Sequence, residues 1–245
     1  MPELIGGIDE AGRGSVIGPM VIAGVSIEKK DSKLLKKIGV KDSKELTPKK
    51  REILYQQIEK IAKNIVVIKV PACMITNYQE KKISLDRIEA MKMAQIVQTI
   101  NANKIYVDSI EQNSKKFEEM IREYLKDGNY KLVVKNYLDE TIPVVSAASI
   151  IAKVERDREI EEIKKAVNFD FGVGYSHDEK TIKFIEKILQ NEDYPPKYLR
   201  LKWETVKDVA ERLLEENKKI KKWVLAEILE KDSWQKKIKD FFTKK

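Results

Sequence analysis

The sequence predicts an α/β fold in which a five-stranded mixed sheet is flanked by helices and followed by a C-terminal helical extension. Five short runs rich in Val and Ile alternate with segments of helical spacing over residues 4–167, which is the pattern of strands and their connecting helices. No strand-like run follows residue 178, where we expect two or three helices. A length of 245 residues suits one large domain with an appendage, and we expect the division at residues 1–180 and 181–245.

Five segments are predicted to be strands because each is a short apolar run. They cover residues 4–9, 16–27, 65–70, 104–108 and 131–135. The glycine-rich AGRGS segment joins the first two, which predicts that they are antiparallel neighbours. Within the second run, Gly18-Pro19 predicts a break or a bulge.

Five helices are predicted in the same part of the chain. They cover residues 31–38, 47–64, 85–100, 114–125 and 146–167. Thr47 is a good N-cap and Pro48 is tolerated at the first helical position, so the second helix begins there. Residues 202–245 are highly charged, with apolar residues at helical intervals. These charges form either a solvated helix face or a basic surface that helps to hold a nucleic acid.

The composition limits the kinds of partner and metal site that the chain can have. The net charge of +8 suits a polyanionic partner, although solubility alone also favours basic proteins. Cys73 and His177 are the single cysteine and histidine, which excludes a disulfide framework and a zinc site rich in Cys or His. A bound metal would therefore use oxygen ligands, which favours Mg²⁺ or Mn²⁺. No secretory signal and no apolar run of about 18 residues occurs, so we expect a cytoplasmic protein.

Acidic residues end two of the predicted strands. Asp9-Glu10 follows the first strand, Asp108 ends the fourth, and Asp139 lies in a predicted loop before the long helix. Acids at neighbouring strand ends meet at one edge of a sheet, where divalent cations would relieve their repulsion and activate water. Taken singly, each acid is more often an ordinary turn former at a strand end. Because adjacent strand residues face opposite ways, Glu10 joins Asp9 at one metal only if the chain turns after Asp9.

A glycine-rich turn follows the first acids directly. Gly12 and Gly14 allow the backbone to approach a ligand closely, and Arg13 between them offers a charged fork to phosphate. The spacing fits neither a dinucleotide fingerprint nor a P-loop.

Two further segments are candidates for substrate contacts. Ser43 and Lys44 precede the Thr47 helix start and either bind phosphate or form a capping turn. Tyr175 ends the turn Gly172-Val173-Gly174-Tyr175, where an aromatic ring either stacks on a base or sugar or packs structurally. His177 is nearby, and the sequence gives it no role.

Long blocks of the chain resemble one family, ribonuclease HII. The matching blocks, in the family's order, are GIDEAGRGSVIGPMVIAG (7–24), KDSKELTPKKRE (41–52), YVDS (106–109), IPVVSAASIIAKVERDRE (142–159) and GVGYSHDEKT (172–181). The resemblance implies a ribonuclease H-like fold and an endonuclease that cuts the RNA strand of RNA·DNA hybrids. It also implies cleavage on the 5′ side of ribonucleotides embedded in duplex DNA, leaving 5′-phosphate and 3′-hydroxyl ends, with two Mg²⁺ or Mn²⁺ ions.

The resemblance also assigns roles to residues. Its four catalytic and metal-binding acids fall on Asp9, Glu10, Asp108 and Asp139. The turn Gly12-Arg13-Gly14 would read the 2′-hydroxyl, which distinguishes RNA from DNA, largely through backbone groups. Tyr175 would pack on a sugar at the RNA-to-DNA junction, and Ser43 and Lys44 would contact phosphates.

This sequence departs from the family's pattern in three places. Asn136-Tyr137-Leu138 replaces the usual His-Lys-Ala stretch before the fourth acid, which makes Glu140 a rival to Asp139. Ser176 stands where many relatives have proline, and Arg200-Leu201-Lys202-Trp203 replaces Arg-x-Ser-Trp. We expect the last two to affect loop or tail geometry more than chemistry.

Two other functions compete with this one, and one partner is suggested. Ribonuclease HIII would carry an extra N-terminal domain, for which a motif at residue 9 leaves no room. A non-catalytic hybrid-binding module on the same fold would leave the four acids without a role.

We expect a monomer. The C-terminal Phe241-Phe242, with Gln235 upstream, resembles a sliding-clamp-binding peptide, although a helix end that packs its phenylalanines fits as well.

Overall fold

Five strands form one mixed sheet in a computed structural model of the chain, which describes residues 2–40, 46–109, 113–126 and 130–229. The strands are β1 (Leu4–Ala11), β2 (Met20–Glu28), β3 (Asn64–Val70), β4 (Lys104–Asp108) and β5 (Lys131–Lys135). Their order across the sheet is β3-β2-β1-β4-β5. β1 is antiparallel to β2 and parallel to β4, β2 is antiparallel to β3, and β4 is parallel to β5. The predicted fold class is confirmed.

Helices connect the strands and follow the sheet. Those of the described residues are α1 (Ser32–Ile38), α2 (Pro48–Ile61), α3 (Ala72–Glu80), α4 (Leu85–Thr99), α5 (Ser114–Glu123), α6 (Leu138–Thr141), α7 (Pro143–Val167), α8 (Glu179–Asn191), α9 (Glu204–Glu215) and α10 (Lys222–Glu227). The sequence did not predict α3 or α6. None of the described helices has the length and apolar character needed to cross a membrane.

Helix starts follow the local sequence. The hydroxyl of Thr47 accepts a hydrogen bond from the Lys50 amide, and Pro48 is the first residue of α2, as predicted. α7 begins at Pro143, three residues before the predicted Ser146, because proline is also compatible with a first helical turn. The second strand begins only at Met20, because Gly18 has φ +90° and Pro19 has no amide hydrogen for a strand ladder.

The first compact unit contains the sheet, and its described residues lie within 1–13, 19–70 and 82–159. One face of β1 and β2 packs against α1, α2 and the first half of α7. Gly7 makes this contact close: a Cβ there would lie 2.4 Å from the carbonyl carbon of Val144, so α7 approaches β1 only because Gly7 has no side chain. The other face packs against α4, where a Cβ on Gly24 would clash with Ile96. Both faces of β1 are therefore buried.

The second compact unit contains the described residues within 14–18, 71–81 and 160–245. Its core unites the C-terminal helices with Val16 and Ile17 from the N-terminal part of the chain. Arg200 is fully buried, donates from Nε to the Gly18 carbonyl at 3.2 Å and lies 4.7 Å from the ring centroid of Trp203. These contacts give Arg200 a structural role. The division predicted after residue 180 stays a prediction.

Candidate active site

Three buried or half-buried carboxylates converge at one end of the sheet. Asp9 of β1, Asp108 at the end of β4 and Asp139 of α6 each place one carboxylate oxygen within 4.8 Å of the others. Asp9 and Asp139 are only 4% and 5% exposed. The parallel pairing of β1 with β4 brings the first two together, as the strand-end argument predicts.

Asp9 lies on the sheet face that α7 covers. The hydroxyl of Ser149 hydrogen-bonds the Asp9 carboxylate, and the Lys153 ammonium donates to that same hydroxyl. Asp9 Oδ1 also accepts from the Glu10 amide at 2.8 Å. Ser149 and Lys153 are four residues apart on α7 and so share a helix face. A serine and a lysine of α7 thus position this carboxylate and partly neutralise it.

Asp108 and Asp139 are linked through the backbone between them. The Leu138 amide donates to Asp108 Oδ1 at 2.7 Å, and the Ser146 hydroxyl donates to the Asp139 carbonyl. Asp139 lies in the one-turn helix α6, so the predicted loop at this position is wrong. Tyr137, the residue before this helix, adopts the left-handed conformation with φ +61° and reverses the chain direction. That reversal carries Asp139 to the end of β4, whereas its neighbour Glu140 is exposed.

Glu10 does not join the three aspartates. β1 continues through Glu10, which pairs with Ile22, to Ala11, two residues beyond the predicted strand end at Asp9, so the chain does not turn after Asp9. Strand alternation therefore directs Glu10 to the opposite face, where it lies near Glu89 of α4. Its side chain still lines the same cavity as the aspartates.

The acidic cavity has a volume of about 260 Å³. Its walls are Asp9, Glu10, Asp108, Ser109, Asn136, Tyr137, Asp139 and Lys153. Burial raises the pKa of Asp9, and raises that of Asp108 to about 7 with help from the nearby Asp9 charge. Burial and the Glu89 charge raise the pKa of Glu10 well above its ordinary value. The carboxylates are thus costly to ionise together without added positive charge.

The donor set fits hard divalent cations. Three aspartate oxygens converge, and oxygen is the ligand type that Mg²⁺ and Mn²⁺ prefer. Glu10 Oε2 and Ser109 Oγ also line the cavity, are buried, and have no hydrogen-bond partner within the described part of the chain. Lys153 alone offsets few of these negative charges. A divalent ion would satisfy the orphaned oxygens and relieve the repulsion.

The turn after β1 is held by its own side-chain contacts. The Arg13 guanidinium donates to Glu89 Oε2 at 2.7 Å and to Asp86 Oδ1. Gly12 has φ +77°, and a Cβ on it would lie 2.7 Å from the Pro19 carbonyl oxygen. Gly14 is exposed. Arg13 is thus engaged by two carboxylates of α4, which leaves the backbone of this turn as the part that can meet a ligand.

Three further residues were predicted to contact the substrate, namely Tyr175, Ser43 and Lys44. Tyr175 is half-buried and stacks on His177 with a distance of 5.6 Å between ring centroids, in the second compact unit. Ser43 and Lys44 lie outside the described residues. The phosphate contacts predicted for them stay predictions.

Sequence reasoning missed four polar residues around the acids. They are Glu89, Ser109, Ser149 and Lys153. Glu89 is 1% exposed, the only acid among the buried residues of α4, and its position on an otherwise apolar face was a usable signal. The spacing of Ser149 and Lys153 was another.

The fold and the acidic centre together define a class. A mixed five-stranded sheet with carboxylates converging at the ends of β1 and β4 is the arrangement of a metal-dependent hydrolase with a ribonuclease H-like fold. The family model described as Ribonuclease HII matches residues 6–206, and the chain belongs to this family. It is accordingly a metal-dependent ribonuclease that acts on RNA·DNA hybrids.

Similar proteins cover most of the chain. Ribonuclease HII of Methanosphaera stadtmanae is 42% identical over 204 residues, 83% of this chain and 93% of that protein. Ribonuclease HII of Pyrococcus furiosus is 40% identical over 213 residues, 85% of this chain and 92% of that protein.

Solved structures that are similar to this chain are also ribonucleases H. The ribonuclease H2 structure from Pyrococcus horikoshii OT3 has a TM-score of 0.79 at 38% identity and covers 86% of this chain and 99% of that one. A PCNA:RNase HII complex from Archaeoglobus fulgidus has a TM-score of 0.74 at 36% identity, with the same coverage of both chains. The Bst-RNase HIII structure, with a TM-score of 0.74 at 18% identity, covers 86% of this chain and 70% of that one and shares the fold.

Proposed function

We propose that this ribonuclease cleaves on the 5′ side of single ribonucleotides embedded in duplex DNA, as well as within the RNA strand of hybrids. The products carry 5′-phosphate and 3′-hydroxyl ends. The observation that carries the proposal is the convergence of Asp9, Asp108 and Asp139 within 4.8 Å, directly after which β1 leads into Gly12-Arg13-Gly14. A metal centre beside a backbone turn without bulky side chains suits a single 2′-hydroxyl as the recognised feature.

The acids would hold two divalent cations, Mg²⁺ or Mn²⁺. Asp9, Asp108 and Asp139 supply the converging oxygens, and Glu10 completes the site from the other face of β1. When bound, such ions activate the attacking water and stabilise the leaving 3′-oxygen. Ser149 holds the Asp9 carboxylate in place, and Leu138 does the same for Asp108 through its amide. Lys153 limits the negative charge of the cavity before substrate arrives.

Substrate contacts follow from the loops. The backbone of residues 12–14 would bind the 2′-hydroxyl, because the Arg13 side chain is engaged by Glu89 and Asp86. Tyr175 would pack on the sugar at the RNA-to-DNA junction, with His177 stacked behind it. Ser43 and Lys44 would contact phosphates.

A cleavage-site map tests the proposal. A DNA duplex with one ribonucleotide, labelled at the 5′ end of the strand that carries it, is incubated with Mg²⁺, with Mn²⁺ and with EDTA. We expect one cut on the 5′ side of the ribonucleotide, a 3′-hydroxyl on the labelled fragment, and no cut in EDTA. Cleavage on the 3′ side, or of the hybrid alone, would refute the proposed specificity.

Matched variants test the site assignment. Asp108→Asn removes one carboxylate of the cluster, and we expect it to abolish cleavage while the variant still binds the duplex. Asp208→Asn removes an exposed carboxylate of α9 and serves as the control. If Asp108→Asn cuts at the wild-type rate with saturating Mg²⁺, the assignment is wrong. A wild-type protein that binds the hybrid without cutting it would instead indicate a non-catalytic binding module.

We also propose that the C-terminal tail binds a sliding clamp. The support is Phe241-Phe242 in the sequence and the A. fulgidus neighbour, whose structure is a complex with PCNA. Size-exclusion chromatography with an archaeal clamp tests this: the double substitution Phe241→Ala, Phe242→Ala should abolish co-elution, and Lys244→Ala, Lys245→Ala should retain it. Co-elution of the phenylalanine variant would exclude this tail as the binding element.

The remaining proposals concern organisation. We propose a cytoplasmic monomer in which residues 1–180 are the catalytic domain and 181–245 a helical region. The support is the sheet and the acidic centre before residue 180 and the absence of strands among the described residues after it. Light scattering at several protein concentrations tests the oligomeric state, and a mass that rises with concentration would contradict a monomer.

A further inference from the structure

An exposed aromatic side chain lines the acidic cavity. Tyr137 is 65% exposed and shares the cavity wall with Asp9, Asp108 and Asp139. Tyr194, which is 81% exposed, is not among the residues of that wall. A single exposed aromatic residue is common on protein surfaces. The position of Tyr137 beside the acids and its backbone conformation are unusual and need an explanation.

The backbone of Tyr137 is in an unfavourable conformation for its residue type. Its φ of +61° and ψ of +29° lie in the left-handed region. Asn168 and Asn217 also have positive φ, and asparagine adopts this region far more readily than tyrosine does. A tyrosine held there costs roughly 1 kcal/mol or more relative to a residue that tolerates it.

The position of Tyr137 is fixed relative to the acids. The next residue, Leu138, donates its amide to Asp108 Oδ1 at 2.7 Å. The Tyr137 carbonyl accepts from the Glu140 amide at 3.4 Å, which closes the turn of α6 that carries Asp139. The ring therefore projects from a short segment whose two ends hold two of the three clustered aspartates.

We propose that Tyr137 is a substrate-contact residue whose ring stacks on a nucleotide of the RNA strand next to the scissile phosphate. This inference rests on the proposed acidic centre. Before metal ions bind, a cavity lined by carboxylates attracts a nucleic acid weakly or not at all, because both are negative. A neutral aromatic face attracts any base without regard to sequence, which suits an enzyme that must accept every ribonucleotide. Because Tyr137 is held next to Asp108 and Asp139, a nucleotide that stacks on its ring is bound beside the acids.

Two substitutions separate the ring from the backbone. Tyr137→Asn removes the ring and places a residue suited to the left-handed region, so we expect its melting temperature to equal or exceed that of the wild type. We expect its KM for an RNA·DNA hybrid to rise about tenfold, as loss of one stacking contact implies, with kcat changed far less. Tyr137→Phe keeps the ring and should retain the wild-type KM. Tyr194→Asn controls for the loss of an exposed tyrosine elsewhere.

A direct readout of stacking accompanies the kinetics. A hybrid with 2-aminopurine in its RNA strand, bound in EDTA so that it is not cut, should lose fluorescence with the wild type and with Tyr137→Phe but not with Tyr137→Asn. A KM for Tyr137→Asn within twofold of the wild type, or equal losses for Phe and Asn, would overturn the proposal. Failure of the acidic centre itself is recognised separately, because Asp108→Asn would then still cut.

Discussion

Asp9 and Glu10 are consecutive residues of β1, and their carboxyl groups are buried against different helices. Asp9 accepts a hydrogen bond from Ser149 of α7, whereas Glu10 lies beside Glu89 of α4. The register of β1 with β2 continues through both residues, so strand alternation produces this separation. The two acids are therefore unequal partners in a metal site, although the sequence presents them as a pair.

Metal affinity should reveal this inequality. We expect Asp9→Asn to weaken binding of the first Mn²⁺ by about tenfold or more, because it removes one of the three converging ligands. Glu10→Gln should weaken that binding less than Asp9→Asn does, since the glutamate is outside the aspartate cluster. Isothermal titration of Mn²⁺ into each variant measures both. Equal losses would mean that Glu10 reaches the same ion as Asp9.

Asp139 and its neighbour Glu140 offer a matched pair of substitutions. Asp139 is 5% exposed and belongs to the aspartate cluster, whereas Glu140 is exposed. We expect Asp139→Asn to lower kcat on a hybrid by roughly 100-fold, and Glu140→Gln to leave kcat within about twofold of the wild type. Steady-state cleavage assays at saturating Mg²⁺ measure kcat for both variants. The opposite ranking would give the fourth catalytic position to Glu140.

The metal-free protein should lose stability as pH rises. The pKa of Asp108 is raised to about 7 by burial and by the Asp9 charge, whereas an unfolded aspartate has a pKa near 3.8. Between these values the folded state holds a proton that the unfolded state has released. The contribution of Asp108 to the free energy of unfolding is therefore complete below about pH 4 and is lost progressively until the pH passes about 7. Melting temperatures measured in EDTA from pH 4.5 to 8 test the sign.

Two comparisons isolate the cause of that pH dependence. Asp108→Asn should flatten the fall, because the amide does not titrate, and saturating Mg²⁺ should reverse part of it in the wild type, because the ion stabilises the ionised carboxylates. A melting temperature in EDTA that rises between pH 5 and 7 would contradict the raised pKa.

The sheet and two of the acids were predictable from local patterns. Apolar runs located all five strands, and the acids at the ends of β1 and β4 meet because those strands are parallel neighbours. The rule that adjacent strand residues face opposite sides of the sheet also predicts the observed position of Glu10. The error was to end the first strand at Asp9, because Glu10 and Ala11 continue the ladder with Ile22 and Val21.

The position of Asp139 depends on a conformation that local sequence does not signal. Tyr137 precedes α6 with positive φ, which tyrosine rarely adopts, so the pattern Asn136-Tyr137-Leu138 predicts a loop. The missed helix α3 has a related cause. Its sequence, ACMITNYQE, contains several weak helix formers, and its helix is stabilised by burial of Ile75 and Thr76 in the folded chain.

Arg13 should contribute to stability more than to phosphate binding. Its guanidinium bonds Glu89, whose side chain is 2% exposed, and Asp86. Arg13→Ala leaves the Glu89 carboxylate buried without this partner, and we expect a loss of about 3 kcal/mol in the free energy of unfolding. Urea denaturation measures the loss. The double substitution Arg13→Met, Glu89→Leu should recover most of it, because the buried Glu89 charge is removed together with its partner.

The salt dependence of hybrid binding tests the same assignment independently. A side chain that neutralises a phosphate steepens the plot of log affinity against log salt concentration by about one unit. Because Arg13 is engaged by two carboxylates, we expect Arg13→Met, Glu89→Leu to keep the wild-type slope. A slope reduced by about one would show that Arg13 leaves Glu89 to bind the backbone of the substrate.

Tyr175 is expected to matter at junctions between RNA and DNA. Tyr175 is half-buried, and its ring is stacked on that of His177. We expect Tyr175→Ala to lower kcat/KM on a duplex with one ribonucleotide by about tenfold, as loss of one aromatic contact implies. Binding to plain DNA duplex should change little, because that duplex has no junction. Tyr175→Phe keeps the ring and is the control. If Tyr175→Ala causes equal losses on both duplexes, a role in sensing the junction is excluded.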